Sequence, residues 1–121
     1  MDMSIDIKTS QQWDLLISGK NLVAADFWAP WCPYCVRLKP IFEEVAREDK
    51  HGIEFVKVNV DEEPDVASRY GIQGIPVIKF LCEGKELGEI VGYLPKEPLK
   101  KEIERIAGTA SACLSNTSLR R

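Results

Sequence analysis

The sequence predicts an α/β fold: a mixed central β-sheet flanked by helices on both faces, with elements in the order β-α-β-α-β-α-β-β-α. Short apolar, β-forming runs alternate with amphipathic helical segments through much of the chain, the pattern of parallel strands joined by crossover helices. Two later strand-like runs are separated by Glu83-Gly84-Lys85, a tight-turn signal that makes this last pair antiparallel. A chain of 121 residues is also long enough to bury one hydrophobic core without disulfide staples.

Thr9-Ser10-Gln11-Gln12 reads as a capping box, and Trp13, Leu16 and Ile17 recur behind it at helical spacing, so a helix of about two turns is predicted. The element order places a strand ahead of it. Ser18-Gly19-Lys20-Asn21 ends the helix. Leu22 to Trp28 is an apolar run too short for a stable helix and suited to a strand buried on both faces; Asp26 alone interrupts it. Cys32-Pro33-Tyr34-Cys35 then opens a helix whose apolar face carries Leu38, Ile41, Phe42 and Val45. Pro33 fits the first helical position, where no N–H is lost, while Pro40 lies inside the pattern and predicts a kink.

Residues 53–60 are rich in β-formers and read as a second interior strand, in which Lys57 is the oddity. Residues 61–70 read as a short helix, with acids and Pro64 at its start and Gly71 after its end. Gly74-Ile75-Pro76 leads into a strand over residues 77–81, which the turn joins to another over 87–91. A last helix follows Pro95, with Leu99, Ile103 and Ile106 on one face. From Gly108 the chain is small and polar, with too little apolar periodicity to pack. The expected organisation is one domain over residues 1–107 and a mobile tail over 108–121.

A composition of 45% hydrophobic and 29% charged residues is that of a soluble globular domain, with no apolar run of membrane-spanning length. The net charge of -3 is the wrong sign for the basic footprint of a nucleic-acid binder. Residues 1–6 lack both the positive and the apolar region of a secretory signal, so a reducing cytoplasm is the expected compartment. Four cysteines in such a chain point to catalysis, metal binding or inert burial rather than to a structural disulfide framework.

Two cysteines at i and i+3 on the first turn of a helix share a face and can close a disulfide. Cys32, at the helix start, meets the free N–H groups and positive end of the helix, which favour a thiolate; it is the expected nucleophile. Cys35, one turn in and more buried, is the expected resolving thiol. Half a zinc site is the bland alternative, but no second CxxC or CxxH exists, and Cys82, Cys113 and the lone His51 are scattered, so no metal is expected. Cys82 reads as a small buried apolar side chain and Cys113 as an exposed thiol with nothing nearby to activate it. Trp13 reads as core and His51 as a solvated loop residue.

The stretch Asp26-Phe27-Trp28-Ala29-Pro30-Trp31-Cys32-Pro33-Tyr34-Cys35 resembles the active-site segment of the thioredoxin family. The resemblance continues through Pro40, Lys57, Tyr70-Gly71-Ile72-Gln73-Gly74-Ile75-Pro76 and Gly84 to Gly92, over nearly all of residues 1–107. It implies the thioredoxin fold, and a redox-active Cys32–Cys35 disulfide that needs no other cofactor. It further implies that Pro76 is a cis-proline facing the disulfide, that Trp31 and the Ile75 backbone hold substrate with Val60, Gly74 and Gly92 completing that surface, and that Trp28 packs beneath the site. Asp26 and Lys57 are charges in strands suited to burial. The bland reading is a tolerated ion pair; the reading the resemblance supports is that Asp26 exchanges a proton with Cys35 and Lys57 tunes it.

One departure stands out. Thioredoxins usually carry Gly-Pro between the cysteines, whereas Pro33-Tyr34 is the dipeptide typical of glutaredoxins. The expected activity is reduction of protein disulfides by a monomer that a thioredoxin reductase, of flavin or ferredoxin type, reduces in turn. The alternatives are a glutathione-dependent reductase, or a binding protein in which Cys32 with glutathione holds an iron–sulfur cluster.

Overall fold

The computed structural model describes residues 5–7 and 9–110. Its elements are β1 (Ile5–Ile7), α1 (Ser10–Ile17), β2 (Leu22–Trp28), α2 (Pro33–Glu48), β3 (Glu54–Asn59), α3 (Pro64–Arg69), β4 (Val77–Cys82), β5 (Lys85–Val91) and α4 (Lys96–Thr109). The sheet runs β1-β3-β2-β4-β5, with β1, β3 and β2 parallel and β4 and β5 antiparallel. This is the predicted mixed sheet. The crossover helices impose the parallel half, and the two-residue turn at Glu83 and Gly84 imposes the antiparallel half. Both turn residues have positive φ, 52° and 82°, as a hairpin turn of this twist requires.

Alternation along β2 sorts the core into two layers. Leu22 and Ala24, with Phe55, Ile78, Phe80 and Ile90, pack under Leu38, Phe42 and Val45 of α2 and Leu99, Ile103 and Ile106 of α4. Val23, Ala25 and Phe27, with Val56, Val58, Val77 and Leu81, pack under Trp13 of α1 and Val66 of α3. Asp26, two residues beyond Ala24, therefore belongs to the α2 side of the sheet, and so does Lys57, two beyond Phe55. The two stand side by side in register across β2 and β3.

Trp13 is fully buried, as its stripe predicts, and donates its indole N–H to the Tyr70 hydroxyl at 3.2 Å. Thr9 caps α1 by accepting from the Gln12 N–H at 3.0 Å. The helix α2 continues as one element through Pro40.

Two element boundaries differ from expectation for a visible physical reason. The acids of residues 61–63 form a turn instead of the first turn of α3, because the Asn59 side chain accepts from the N–H of Asp61 and its carbonyl accepts from Glu62 and Glu63. The last helix runs through Gly108 and Thr109, past the expected domain end at residue 107. Ala110 closes it by donating to the Ile106 carbonyl at 2.9 Å and is buried in the α2-side core. The rest of the expected tail, residues 111–121 with Cys113, lies outside the described residues. Cys82, half-buried at the end of β4, is disulfide-bonded, so it is not the inert apolar side chain its position suggested.

Candidate active site

The chain leaves the buried β2 at Trp28 and enters α2 within four residues, which sets Cys32 at the helix cap and Pro33 at its first position. Cys32 is non-helical (φ -95°, ψ 111°), and its Sγ accepts from the Cys35 N–H at 3.2 Å. The sulfur thus satisfies a helix N–H that would otherwise have no partner. Cys32 and Cys35 form a disulfide, with their Cα atoms 5.2 Å apart. Cys35 lies one turn before Leu38 on the helix face packed against the sheet and has no exposed surface.

Opposite Cys32, the Ile75 carbonyl lies 3.8 Å from its Sγ, and the following Ile75–Pro76 peptide is cis. The Pro76 carbonyl accepts from the Gly92 N–H at 2.9 Å, which ties the start of β4 to the end of β5; Gly92 has a φ of 90° that a side chain would strain. Gly74 is exposed, and Ile75 and Val60 are half-buried against the α1-side core. Trp31 is 66% exposed and donates its indole N–H to Asp61 Oδ2 at 2.8 Å. That bond holds an apolar ring beside the turn that follows Val60, whose own N–H donates to the Trp28 carbonyl at 2.9 Å. These two bonds join the segments bearing Trp31 and Val60, and with Ile75, whose carbonyl adjoins the Cys32 sulfur, they make an apolar rim at Cys32. Asp61 was not legible as part of this rim, because nothing in its sequence neighbourhood points to Trp31.

Pro33 and Tyr34 are exposed, and the Tyr34 ring centroid lies 6.3 Å from that of Tyr93, with the Arg37 guanidinium over both rings at 5.5 and 5.8 Å. Trp28 is half-buried beneath α2, with the Lys39 ammonium 5.7 Å from its ring centre.

Asp26 is only 1% exposed, and its Oδ1 has no hydrogen-bond partner among the described residues. Desolvation pushes its carboxyl up to about 7, against the pull of the Lys57 charge. Lys57 is itself 4% exposed; its ammonium bonds Glu43 Oε2 on α2 and lies 3.8 Å from Asp6 Oδ1 on β1. The acid and the cation are register neighbours, yet the cation is shared with other carboxylates. Glu43 was missed in the sequence, where it reads as one solvated acid beside another.

An exposed apolar rim around one sulfur, a second sulfur sealed behind it and a neutral-range acid on the same side of the sheet define a thiol–disulfide exchange site. Residues 4–105 match the family model described as Thioredoxin, and the chain belongs to the thioredoxin family. It is 36% identical over 102 residues to the chloroplastic thioredoxin M-type of Pisum sativum, covering 84% of this chain and 59% of that protein. With thioredoxin 1 of a Nostoc species it shares 42% over 83 residues, 69% of this chain and 78% of the relative. The chain thus spans less than two thirds of the pea relative's length. Among solved structures, the thioredoxin of Malassezia sympodialis superposes with a TM-score of 0.80 at 28% identity, covering 88% of this chain and 93% of that one.

Proposed function

We propose that the chain reduces disulfide bonds in protein substrates, and the observation that carries this reading is the Cys32 sulfur capping α2. In the reduced protein the N–H groups of that helix end stabilise a Cys32 thiolate, which attacks one sulfur of a substrate disulfide. The other substrate sulfur leaves with the electron pair of the broken bond and takes up a proton. Cys35 then gives its proton to Asp26 and attacks the Cys32 sulfur; the Cys32–substrate bond breaks, its electron pair leaves on the substrate sulfur, and that sulfur takes up the proton Asp26 returns, so the substrate departs as a dithiol, Asp26 is again a carboxylate and Cys32–Cys35 is left oxidised. Two electrons and two protons have moved to the substrate. Trp31, Val60, Gly74, the Ile75 backbone, Pro76 and Gly92 form the surface that receives the substrate chain.

The cycle closes when a thioredoxin reductase, of flavin or ferredoxin type, returns two electrons. The apolar rim around Trp31 and Ile75 favours such a protein donor over glutathione, and the reading is of a monomer working in a reducing compartment, the cytoplasm. Insulin reduction tests the core of it: the wild type should accelerate precipitation of the insulin B chain in dithiothreitol, and a thioredoxin reductase should reduce the protein faster than glutathione does. A rate no greater than that of dithiothreitol alone would overturn the reading. Faster turnover with glutathione would move the protein to glutathione-dependent chemistry.

A further inference from the structure

The neighbourhood of Asp26 contains a group that the exchange reaction leaves without a task. Glu43 sits on α2, two turns beyond Cys35, and its carboxylate is one fifth exposed. It bonds the Lys57 ammonium, the one cation in register with Asp26. Lys39, one turn earlier on the same helix, lies over Trp28. From β1, Asp6 approaches the same ammonium but is half exposed. The elements on the other flank present apolar side chains: Ile78 of β4 stands opposite Asp26, and the buried residues of α4 are Leu99, Ile103, Ile106 and Ala107. The charge balance around Asp26 is therefore set by Lys57 and by whatever holds Lys57.

We propose that Glu43 is a positioning residue for the proton step: by binding the Lys57 ammonium, it keeps that cation from fixing Asp26 as a permanent carboxylate, so the buried acid can both take and return the Cys35 proton. Two physical effects act in the same direction. Glu43 neutralises part of the Lys57 charge that favours ionised Asp26, and its own negative charge disfavours a second carboxylate nearby. The raised titration of Asp26 agrees with a cation whose pull is only partial. The inference rests on the proposed role of Asp26 in thiol–disulfide exchange.

The test follows the Asp26 carboxyl carbon by NMR against pH in the oxidised protein, together with the pH profile of mixed-disulfide release. Glu43→Gln keeps an acceptor for Lys57 and removes the charge; the Asp26 midpoint should fall by about one pH unit, and the release profile should move with it. Glu43→Ala is an independent neutralisation and should shift the midpoint in the same direction. Charge-retaining Glu43→Asp should stay near wild type. Glu44→Gln makes the same charge change at the next residue, whose carboxylate bonds Lys96, and should leave the midpoint in place. An unmoved midpoint in both neutral variants, or an equal shift in Glu44→Gln, overturns the proposal. So does a midpoint that moves while the release profile does not. The titration needs no turnover, so a wild type inactive on insulin would sink the functional reading while the Asp26–Glu43 coupling is still read separately.

Discussion

The two sulfurs of one disulfide differ here because the backbone treats them differently. Cys32 accepts the Cys35 N–H, lies beside the Ile75 carbonyl and keeps 6% of its surface exposed, while Cys35 is sealed against the sheet with none. A substrate sulfur can reach only the first. Cys32→Ser should therefore abolish insulin reduction, whereas Cys35→Ser should accumulate a covalent adduct through Cys32 that mass spectrometry detects. Faster adduct formation on Cys35 in the Cys32→Ser protein would reverse the assignment. Asp26→Asn should leave formation of the mixed disulfide near its wild-type rate and slow its release by roughly 10²-fold, the usual contribution of one positioned base. Because the acid titrates near 7, wild-type release should rise with pH through that value, and the variant should lose the rise.

The start of α2 is where local sequence tunes the chemistry. Pro33-Tyr34 lies between the sulfurs, and the Tyr34 ring is exposed, with Tyr93 and Arg37 as its neighbours. Replacing the pair with Gly-Pro should lower the reduction potential, because a less stabilised Cys32 thiolate makes the disulfide harder to reduce. A change of roughly 30 mV, about 1.4 kcal/mol, corresponds to one charge-assisted hydrogen bond and is measurable in glutathione buffers. Equal potentials would remove the dipeptide as a determinant. At this scale much of the fold was legible before the structure, since β2 announces itself as an apolar run and α2 by its cysteine cap and Leu38-Phe42-Val45 stripe. What local pattern missed was decided by distant or side-chain partners. Asn59 captures the N–H groups of the turn before α3, and Ala110 ends α4 with its side chain buried in the α2-side core. The site was legible in its cysteines, Asp26 and Lys57. The Lys57–Glu43 bond was not, because it joins β3 to α2 only after both have packed on the same face.

For the molecule as a whole, a buried acid held near pH 7 ties folding to proton uptake. The Asp26 carboxyl stands at about 7 in the folded chain against 3.8 in the unfolded reference, so between these values the folded state binds more protons. Stability must then fall as pH rises through that window: the contribution is fully present below about 4 and lost above about 7. For a shift from 3.8 to about 7 its upper bound is about 4 kcal/mol, at 1.36 kcal/mol per pH unit. The cause is the desolvation of a carboxylate that Lys57, bonded to Glu43, only partly compensates. Asp26→Asn removes the titration without emptying the space. The variant should therefore be more stable than wild type at pH 8, with the advantage shrinking toward pH 4. Urea unfolding of the oxidised proteins at a series of pH values reads this directly. Parallel stability profiles for wild type and Asp26→Asn would mean that Asp26 titrates alike in the folded and unfolded chain, which its burial and unpartnered Oδ1 oppose.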